Sequence, residues 1–301
     1  MKKTLAMMTA AVMVAGALAG CGSSSSTPAA TTAEATTAAA TEAATEAATE
    51  AATTEAAGDT AAAAEETVKT PSGKFTVGFD QEFPPMGFVG DDGQFTGFDL
   101  DLAKEVASRL GLEFVPQPIN WDAKDMELDS GNIDCIWNGF TMQGREDAYT
   151  WVGPYMANNQ VFVVTADSDI ASKADLAGKA VEVQKDSSGL AALQGDAELS
   201  ASFGSMTEVA DYNTALMDLE SGACDAVCMD SIVAGYQIKS SGKDMKILDD
   251  TLSAEEYGIG FKKGEDELAK AVYDTLMAMK DDGTVAKISN DWFGSDVFTL
   301  K

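Results

Sequence analysis

The sequence has no histidine, and basic residues are scarce: 20 Lys and Arg stand against 49 Asp and Glu, for a formal net charge of −29. Without histidine, the chain can form neither a Ser-His-Asp nor a Cys-His nucleophile, and it has no imidazole to bind a metal or transfer a proton. Nucleic-acid binding needs clustered positive charge, and no run of basic residues is longer than two. The four cysteines contain no CxxC pair, so we predict neither a zinc site nor a disulfide framework. These absences lead us to expect a protein without a metal, a cofactor or a nucleic-acid partner.

The first 20 residues have the pattern of an export signal. Two lysines precede an apolar stretch at 5–18, which is too short to span a bilayer comfortably and has the flanks of a secretory signal peptide at 1–20. The stretch ends in Leu18-Ala19-Gly20-Cys21, which resembles a bacterial lipobox. The resemblance implies cleavage before Cys21 and lipidation of its thiol; the alternative is an ordinary signal peptide with an incidental cysteine. We predict an extracytoplasmic protein anchored to the cell membrane by Cys21.

Residues 21–70 have a composition that cannot build a core. Ala, Thr, Ser and Glu dominate, and aromatic residues are absent. Such a segment cannot bury enough apolar surface to offset the entropy of ordering it. We therefore predict a disordered tether, whose root-mean-square span as a flexible chain would be roughly 40 Å.

From residue 73 onward, strand and helix signals alternate. An alternating apolar pattern predicts a strand at 74–79, and an amphipathic pattern ended by Gly111 predicts a helix at 98–110. A second, similar series begins after 161–164. This order is typical of an α/β fold with a parallel sheet, in which ligands bind beyond the carboxyl ends of the strands. The first series continues with a strand, a helix and a strand at 112–115, 122–130 and 133–137.

Several motifs in this globular part resemble those of one family. In chain order they are Phe79-Asp80, Phe83-Pro84-Pro85-Met86-Gly87-Phe88, Gly97-Phe98-Asp99-Leu100-Asp101-Leu102-Ala103, residues 131–141 followed by Arg145, Leu176-Ala177-Gly178-Lys179, Val183-Gln184 and residues 222–230. Their order and spacing resemble the extracytoplasmic solute-binding proteins of polar amino-acid ABC transporters, the family 3 bacterial solute-binding proteins. Each motif alone is common, but together they cover 73–300 and are specific.

The resemblance implies the type II periplasmic-binding-protein fold, an α/β fold of two lobes with a ligand cleft between them and a two-strand hinge that joins them. It places lobe 1 at 73–161 plus 257–301 and lobe 2 at 162–256. The implied ligand is a free amino acid, on which the lobes close by a hinge motion. The implied partner is the membrane permease of an ABC transporter, and we expect the chain to be a monomer.

Arg145 is the best candidate for binding the ligand carboxylate, because a guanidinium fork matches a carboxylate with two hydrogen bonds. The alternative is a surface arginine paired with Glu146 or Asp147. The match to the family motif favours the binding role. The stretch from Thr141 to Arg145 is one residue shorter than the common family pattern, which leaves the approach of Arg145 to a ligand open.

The second lobe supplies further candidates. Ser187 and Ser188 precede a helix whose N-terminal amides can bind an anion; simple N-capping is the alternative, and Ser188 is the favoured ligand contact. Asp230 follows a strand at 226–229 and would hold the ligand ammonium; the alternative is that it caps the helix that starts near Ser231.

In the first lobe, the resemblance implies ligand contacts from Asn138, Gly139, Phe140 and Thr141, which are predicted to follow the strand at 133–137. Backbone groups of Gly139 and Thr141 would contact the ammonium and the carboxylate. Without the resemblance, Asn138-Gly139 would be interpreted as a turn.

Three more residues correspond by position to those around the ligand side chain in the family. Phe83 and Trp121 would flank the side chain and exclude water, with core packing as the alternative. Asp80 would pair with a cationic side chain or accept a hydrogen bond from a neutral one; the alternative is that it caps its own loop. We expect a polar uncharged or cationic amino acid.

These residues favour a binding protein rather than an enzyme. One alternative is an enzyme on the same fold that resembles the cyclohexadienyl dehydratases, with Asp80 or Glu82 as the acid–base group. The absence of histidine weighs against it. The other alternative is a sensor domain of a receptor, which would require a later transmembrane helix and a signalling module that we do not expect.

Overall fold

The computed structural model describes Thr70 and residues 72–301, all of which belong to one compact unit. The predicted signal peptide, the predicted lipidation site Cys21 and the predicted tether up to residue 69 lie outside the described residues. None of the described helices has the length and apolar character needed to cross a membrane.

The described residues form eleven strands and eight α-helices. The strands are β1 Lys74–Phe79, β2 Glu82–Phe83, β3 Gly87–Val89, β4 Phe95–Thr96, β5 Glu113–Pro118, β6 Cys135–Thr141, β7 Tyr149–Thr165, β8 Ala180–Gln184, β9 Ser205–Val209, β10 Ala226–Asp230 and β11 Met245–Lys262. The helices are α1 Phe98–Leu110, α2 Lys124–Asp129, α3 Ser188–Gly195, α4 Ala197–Ser202, α5 Tyr212–Ser221, α6 Ser231–Ser241, α7 Asp266–Asp281 and α8 Thr284–Phe293. Short 3-10 helices lie at Trp121–Ala123 and Lys173–Leu176.

Eight strands form one sheet in the order β5-β1-β6-β11-β7-β10-β8-β9. β1 is parallel to β5 and β6, β8 is parallel to β9 and β10, and the long strands β7 and β11 pair antiparallel in the middle. From the β5 edge inward, the order is β5, β1, β6 and the long strand β11. From the β9 edge inward, β9, β8, β10 and the long strand β7 follow in the same way: the second, first and third strands of a series and then a long antiparallel strand. The sheet therefore has two similar halves, and we call the half around β1 lobe 1 and the half around β8 lobe 2.

The long strands β7 and β11 connect the two lobes. In lobe 1, β6 pairs with the part of β11 that begins at Tyr257, and in lobe 2, β10 pairs with the part of β7 that begins at Gln160. The lobe boundaries at 161 and 257 stay a prediction.

Helix α1 has the bounds predicted from its amphipathic pattern. Leu102 and Val106 on its apolar face are fully buried, and the helix packs on β5, α7 and α8. It ends because Gly111 adopts the left-handed conformation, with φ 69°, and donates its N–H to the carbonyls of Ala107 and Ser108. This helix covers one face of the sheet in lobe 1.

The core is built mainly from the strands. Phe75, Val77 and Phe79 of β1 have no exposed surface, and Val181 and Val183 of β8 anchor a second cluster in lobe 2. Full burial stabilises each side chain of this size by about 1.5–3 kcal/mol relative to exposure. This packing fixes the positions of the strands, and therefore also the positions of the residues that lie at the strand ends.

Several elements differ from the sequence prediction. The strand predicted at 133–137 runs as β6 to Thr141, so Asn138, Gly139, Phe140 and Thr141 lie within the strand and the prediction that they follow it is wrong. β6 continues because Phe140 and Thr141 pair with Gly258 and Tyr257 of β11, a long-range contact that no local pattern reveals. The small sheet β2-β3-β4 and the elements β9, α4 and α8 are also absent from the prediction.

Candidate functional site

A cavity of about 780 Å³ lies between the lobes at the long strands. Lobe 1 contributes Thr141 and Arg145, lobe 2 contributes Ser187 and Ser188, and β11 contributes Glu255. Four of the eleven ligand-binding residues predicted from the sequence therefore line one cavity, and they come from both lobes.

Arg145 lies on the lobe 1 wall of this cavity. Its Nη1 donates to the carbonyl of Thr141 at 3.2 Å, and its Nη2 donates to the carbonyl of Asp186 in lobe 2 at 3.3 Å. The guanidinium lies 5.1 Å from the ring centroid of Phe140, a distance suited to a cation–π contact. Among the described ion pairs Arg145 has none, and the surface pairing with Glu146 or Asp147 is not observed.

The two serines at the start of α3 have different roles. Ser187 is the N-cap, and its Oγ accepts the N–H of Leu190 at 3.1 Å. Ser188 points toward lobe 1, where its Oγ accepts from Thr141 Oγ1 at 3.2 Å. It also accepts from Gln160 Nε2 at 3.1 Å and donates to Glu255 Oε1 at 3.4 Å. Ser188 is therefore the serine that can exchange its contacts with those of a ligand.

Asp230 lies deeper, at the end of β10, and it is 3% exposed. Its Oδ1 accepts from Asn158 Nδ2 at 2.6 Å and from Tyr257 OH at 2.7 Å, and its Oδ2 accepts from Tyr212 OH at 3.1 Å. It makes no side-chain cap to α6. Burial, together with the negative charge of Glu255, raises the pKa of Asp230 to about 7.

Three polar residues of the long strands surround Asp230 and have no counterpart in the sequence prediction. Asn158 and Gln160 lie on β7, Glu255 lies on β11, and all three are buried. Asn158 Nδ2 donates to Glu255 Oε1 at 2.6 Å, and Gln160 Nε2 donates to the same oxygen at 2.8 Å. No motif marks them, and only alternation along predicted hinge strands could have indicated that they share a face.

A second opening of about 980 Å³ lies on the other side of the cleft and includes Asp80 and Trp121. Asp80 Oδ1 accepts the N–H of Glu82 at 2.9 Å, and its Oδ2 accepts from Gln184 Nε2 of lobe 2 at 2.6 Å. Burial raises the pKa of Asp80 to about 6, which these hydrogen bonds oppose. Asp80 thus bonds both its own loop and the opposite lobe.

Phe83, Asn138 and Gly139, which were predicted as ligand contacts, line neither of these two openings. The Phe83 ring lies 5.7 Å from that of Tyr212, and Asn138 Oδ1 accepts the N–H of Asp80 at 3.0 Å. Gly139 has φ +56°, and a Cβ there would lie 2.9 Å from the Phe83 ring and 3.1 Å from the Tyr257 ring. Only glycine fits this position without strain.

Behind Gly139, Asp99 of α1 is fully buried. Its Oδ2 accepts the N–H of Gly139 at 2.7 Å and the hydroxyl of Tyr155 at 2.8 Å, whereas its Oδ1 has no partner. Burial raises the pKa of Asp99 to about 7 despite these bonds. The Gly139 N–H is therefore bound by Asp99 of α1 and is not free for a ligand in this structure.

An aromatic cluster supports Arg145. The Phe140 side chain is fully buried against the rings of Trp121, Tyr149 and Trp151. The ammonium of Lys124 lies over the Trp121 ring, 5.2 Å from the ring centroid. Phe140 thus faces the lobe 1 core and the guanidinium, and Trp121 borders the second opening.

Charged and polar pairs cross between the lobes around the site. Lys124 of lobe 1, 1% exposed, pairs with Asp186 of lobe 2, and Asp122 of lobe 1 accepts from Lys185 of lobe 2 at 2.7 Å. Burial lowers the pKa of Lys124, an effect that its pairing with Asp186 opposes. These two pairs therefore join the lobes directly. Within residues 72–301, no three Cys, Asp or Glu side chains are grouped closely enough to hold a metal ion.

Comparison of the sequence with known proteins identifies the family to which the chain belongs. The model of the bacterial extracellular solute-binding proteins, family 3, matches residues 75–295. The L-cystine-binding protein TcyJ of Escherichia coli strain K12 is 31% identical over 231 residues, covering 75% of this chain and 84% of that protein. The L-cystine-binding protein TcyA of Bacillus subtilis strain 168 is 32% identical over 229 residues, covering 75% and 83%.

Solved structures show the same fold. An ABC uptake transporter substrate-binding protein from Streptococcus pneumoniae with bound histidine has a TM-score of 0.73 and 34% identity, covering 76% of this chain and 95% of that one. The structure of Tv2483 bound to L-arginine has a TM-score of 0.72 and 27% identity, covering 76% and 93%. The two-lobe type II fold predicted from the sequence is confirmed. The chain therefore belongs to the bacterial extracellular solute-binding proteins of family 3.

Proposed function

We propose that the protein binds a free α-amino acid between its lobes, outside the cell membrane, and delivers it to the permease of an ABC transporter. The observation that carries this proposal is the composition of the cavity wall. Arg145 of lobe 1 has no ion-pair partner among the described residues, and Ser188 and Glu255 line the same cavity. A zwitterion needs a cation for its carboxylate and an anion for its ammonium in one sheltered site, and this wall supplies both.

The mechanism follows from the contacts between the lobes. Thr141 and Ser188 lie on opposite lobes and their hydroxyls already meet, so a carboxylate held by Arg145 would be within reach of both. A ligand that contacts both lobes stabilises the closed arrangement over an open one by its binding free energy. The closed form is then the one that the permease would recognise, and release follows when the lobes separate about the long strands.

The charges around the cleft bear on the ligand. Asp80, Asp230 and Glu255 are buried carboxylates, and Arg145 is the cation nearest to the cavity that has no ion-pair partner among the described residues. The relatives named above bind cystine, and the structural neighbours hold histidine or arginine. We propose a polar amino acid, uncharged or cationic, with Asp80 and Trp121 near its side chain.

We also propose that Cys21 carries the lipid anchor and that the segment up to residue 70 tethers the binding unit to the membrane. The lipobox-like sequence at Leu18-Ala19-Gly20-Cys21 supports this assignment. Buried acyl chains contribute about 0.8 kcal/mol for each methylene, so more than one chain would make the attachment lasting.

A calorimetric titration of Arg145→Ala tests the main proposal. After a thermal-shift screen of the twenty amino acids, cystine and ornithine identifies the ligand, Arg145→Ala should lose at least 100-fold in affinity because the carboxylate loses its charged partner. Arg109→Ala is the matched control, because Arg109 pairs with Glu105 and Asp282 on the surface. Unchanged affinity in Arg145→Ala would contradict the assignment, and a ligand recovered chemically altered would favour an enzyme.

A further inference from the structure

Lys124 is a buried lysine whose partners come from both lobes. It is the first residue of α2 in lobe 1, and it is 1% exposed. Its ammonium donates to the carbonyl of Trp121 at 3.4 Å, to the carbonyl of Asp186 at 3.3 Å and to the carboxylate of Asp186. An ammonium has three donors, so all of them are used. Lobe 2 supplies two of the three acceptors and the one carboxylate that pairs with Lys124 among the described residues.

The hydrogen bonds of Lys124 are complete only while the lobes are in contact. Separation of the lobes would remove both acceptors of Asp186 and would leave the carbonyl and ring of Trp121, which belong to lobe 1. Hydrogen bonds to charged groups contribute more than neutral ones, and removing one partner of a buried ion pair is unfavourable. Lys124 therefore favours the arrangement with the lobes in contact. The other interlobe pair, Lys185 with Asp122, is exposed on both sides and contributes less.

Asp186, the partner of Lys124, lies in the loop between β8 and α3 and has an unusual backbone conformation. Its φ is +55°, and among the described residues it is the one non-glycine residue with a positive φ. Asp and Asn adopt this conformation more readily than other residues, but surrounding contacts normally hold it in place. The Asp186 carboxylate has no other hydrogen-bond partner within the part of the chain that the structure describes. Lys124 can therefore fix this turn of lobe 2 from lobe 1.

The same turn is connected to the cavity between the lobes. The carbonyl of Asp186 also accepts from Arg145 Nη2 at 3.3 Å, so two cations donate to one oxygen. Of these two, only Lys124 has a carboxylate within 4.0 Å among the described residues. Ser188, which lines the cavity, follows Asp186 by two residues. The position of Asp186 thus affects both Arg145 and Ser188, and a ligand carboxylate at Arg145 would supply a second negative charge to the two cations.

We propose that Lys124 is a positioning residue of the binding site: it holds Asp186 of lobe 2 against lobe 1, keeps the Asp186 carbonyl on Arg145 and thereby slows the release of a bound ligand. The inference rests on the proposed function, because it assigns a role in holding a ligand between the same two lobes. It predicts that the ion pair of Lys124 and Asp186 acts on dissociation and not on association, since the pair forms only after the lobes have met.

A purely structural role for Lys124 predicts a different result. If Lys124 only stabilised lobe 1, Lys124→Met would lower the stability of the ligand-free protein to urea and would leave ligand release unchanged. Asp186→Asn removes the same ion pair from its exposed partner, whose side chain is 51% exposed, and asparagine also adopts a positive φ readily. Lys104→Met is the matched control, because Lys104 is exposed on α1 and has no ion pair among the described residues.

The experiment is a stopped-flow measurement of association and dissociation rates, using the ligand identified by a thermal-shift screen of the twenty amino acids, cystine and ornithine. We expect Lys124→Met and Asp186→Asn each to dissociate about tenfold faster or more, with association within threefold of wild type. Lys104→Met should stay within twofold of wild type in both rates. The double variant of Lys124→Met and Asp186→Asn should dissociate no more than twofold faster than the faster single variant, because both changes remove one contact.

The outcomes separate this inference from the proposed function. Dissociation of Lys124→Met and Asp186→Asn within twofold of wild type overturns the inference and leaves the proposed function intact. Fully additive effects in the double variant overturn it as well, since independent residues are additive and partners are not. If Lys124→Met does not fold, the dissociation rate of Asp186→Asn decides by the same criterion. A wild type that binds none of the screened compounds overturns both the inference and the proposed function.

Discussion

Replacing Asp99 by asparagine should flatten the pH dependence of stability. Asp99 is fully buried, and its folded-state pKa is raised from 3.8 to about 7 by burial. Between these values the folded chain binds one proton more than the unfolded chain at this residue, so the free energy of unfolding falls as the pH rises. From pH 5 to pH 8 this loss is roughly 2–3 kcal/mol, at about 1.4 kcal/mol for each unit of pH. Asparagine does not titrate and can still accept the N–H of Gly139.

The assay is urea unfolding of wild type and Asp99→Asn at pH 5 and pH 8. Between pH 5 and pH 8, the free energy of unfolding of wild type should fall by roughly 2–3 kcal/mol more than that of the variant. Asp80 and Asp230 titrate in both proteins, so their contributions cancel in this difference. Asp167→Asn is the control, since Asp167 is exposed and its side chain makes no hydrogen bond among the described residues. An equal change in wild type and Asp99→Asn would refute the argument that the buried carboxylate is protonated in the folded state.

Three further predictions concern Gly139 in strand β6, the ion pair between the lobes, and the proposed lipid anchor at Cys21. Gly139→Ala should cost about 1–3 kcal/mol in urea unfolding, because its φ is +56° and its Cβ would lie 2.9 Å from the Phe83 ring. Lys185→Ala should speed ligand dissociation by up to about fivefold in stopped-flow measurements, because it removes the exposed interlobe pair with Asp122, worth up to about 1 kcal/mol. Cys21→Ser should move the protein from the membrane fraction to the soluble fraction in immunoblots.

Each of these has an outcome that would count against it. Gly195→Ala is the control for Gly139→Ala, because a Cβ at Gly195 meets no atom within 4 Å. Equal stability of the two alanine variants would contradict the steric argument. The effect of Lys185→Ala should vanish at high salt, where exposed ion pairs are screened, and persistence there would contradict an ionic cause. Continued membrane association of Cys21→Ser would refute the anchor.

The fold was predictable where local chemistry decides it. Helix α1 has its predicted bounds because its apolar face and Gly111 are both local signals. The extent of β6 was not predictable, because Asn138-Gly139 has the local pattern of a turn and only the distant pairing with β11 keeps it in the sheet. Long-range register is invisible to a reading of neighbouring residues.

The site shows the same division. Arg145 and Ser188 follow from motifs, and both line the cavity between the lobes. Asn158, Gln160 and Glu255 lie in long strands without a motif, and a polar residue in such a strand suggests an exposed face rather than a buried network. Their importance depends on where β7 and β11 cross the cleft, which is a property of the assembled sheet.

The shared strands also impose an order on folding. Lobe 2 is built from one continuous stretch of chain around β8, β9 and β10, so its local contacts can form as soon as that stretch is available. Lobe 1 needs β11, α7 and α8, all of which follow lobe 2 in the chain, and Leu300 is buried in its core. During synthesis or translocation, β1, β5 and β6 can pair with one another, but β6 must wait for its partner β11 until the chain beyond residue 257 has emerged. The exposed edge of β6 in that interval makes lobe 1 the part of the molecule that most needs protection from aggregation.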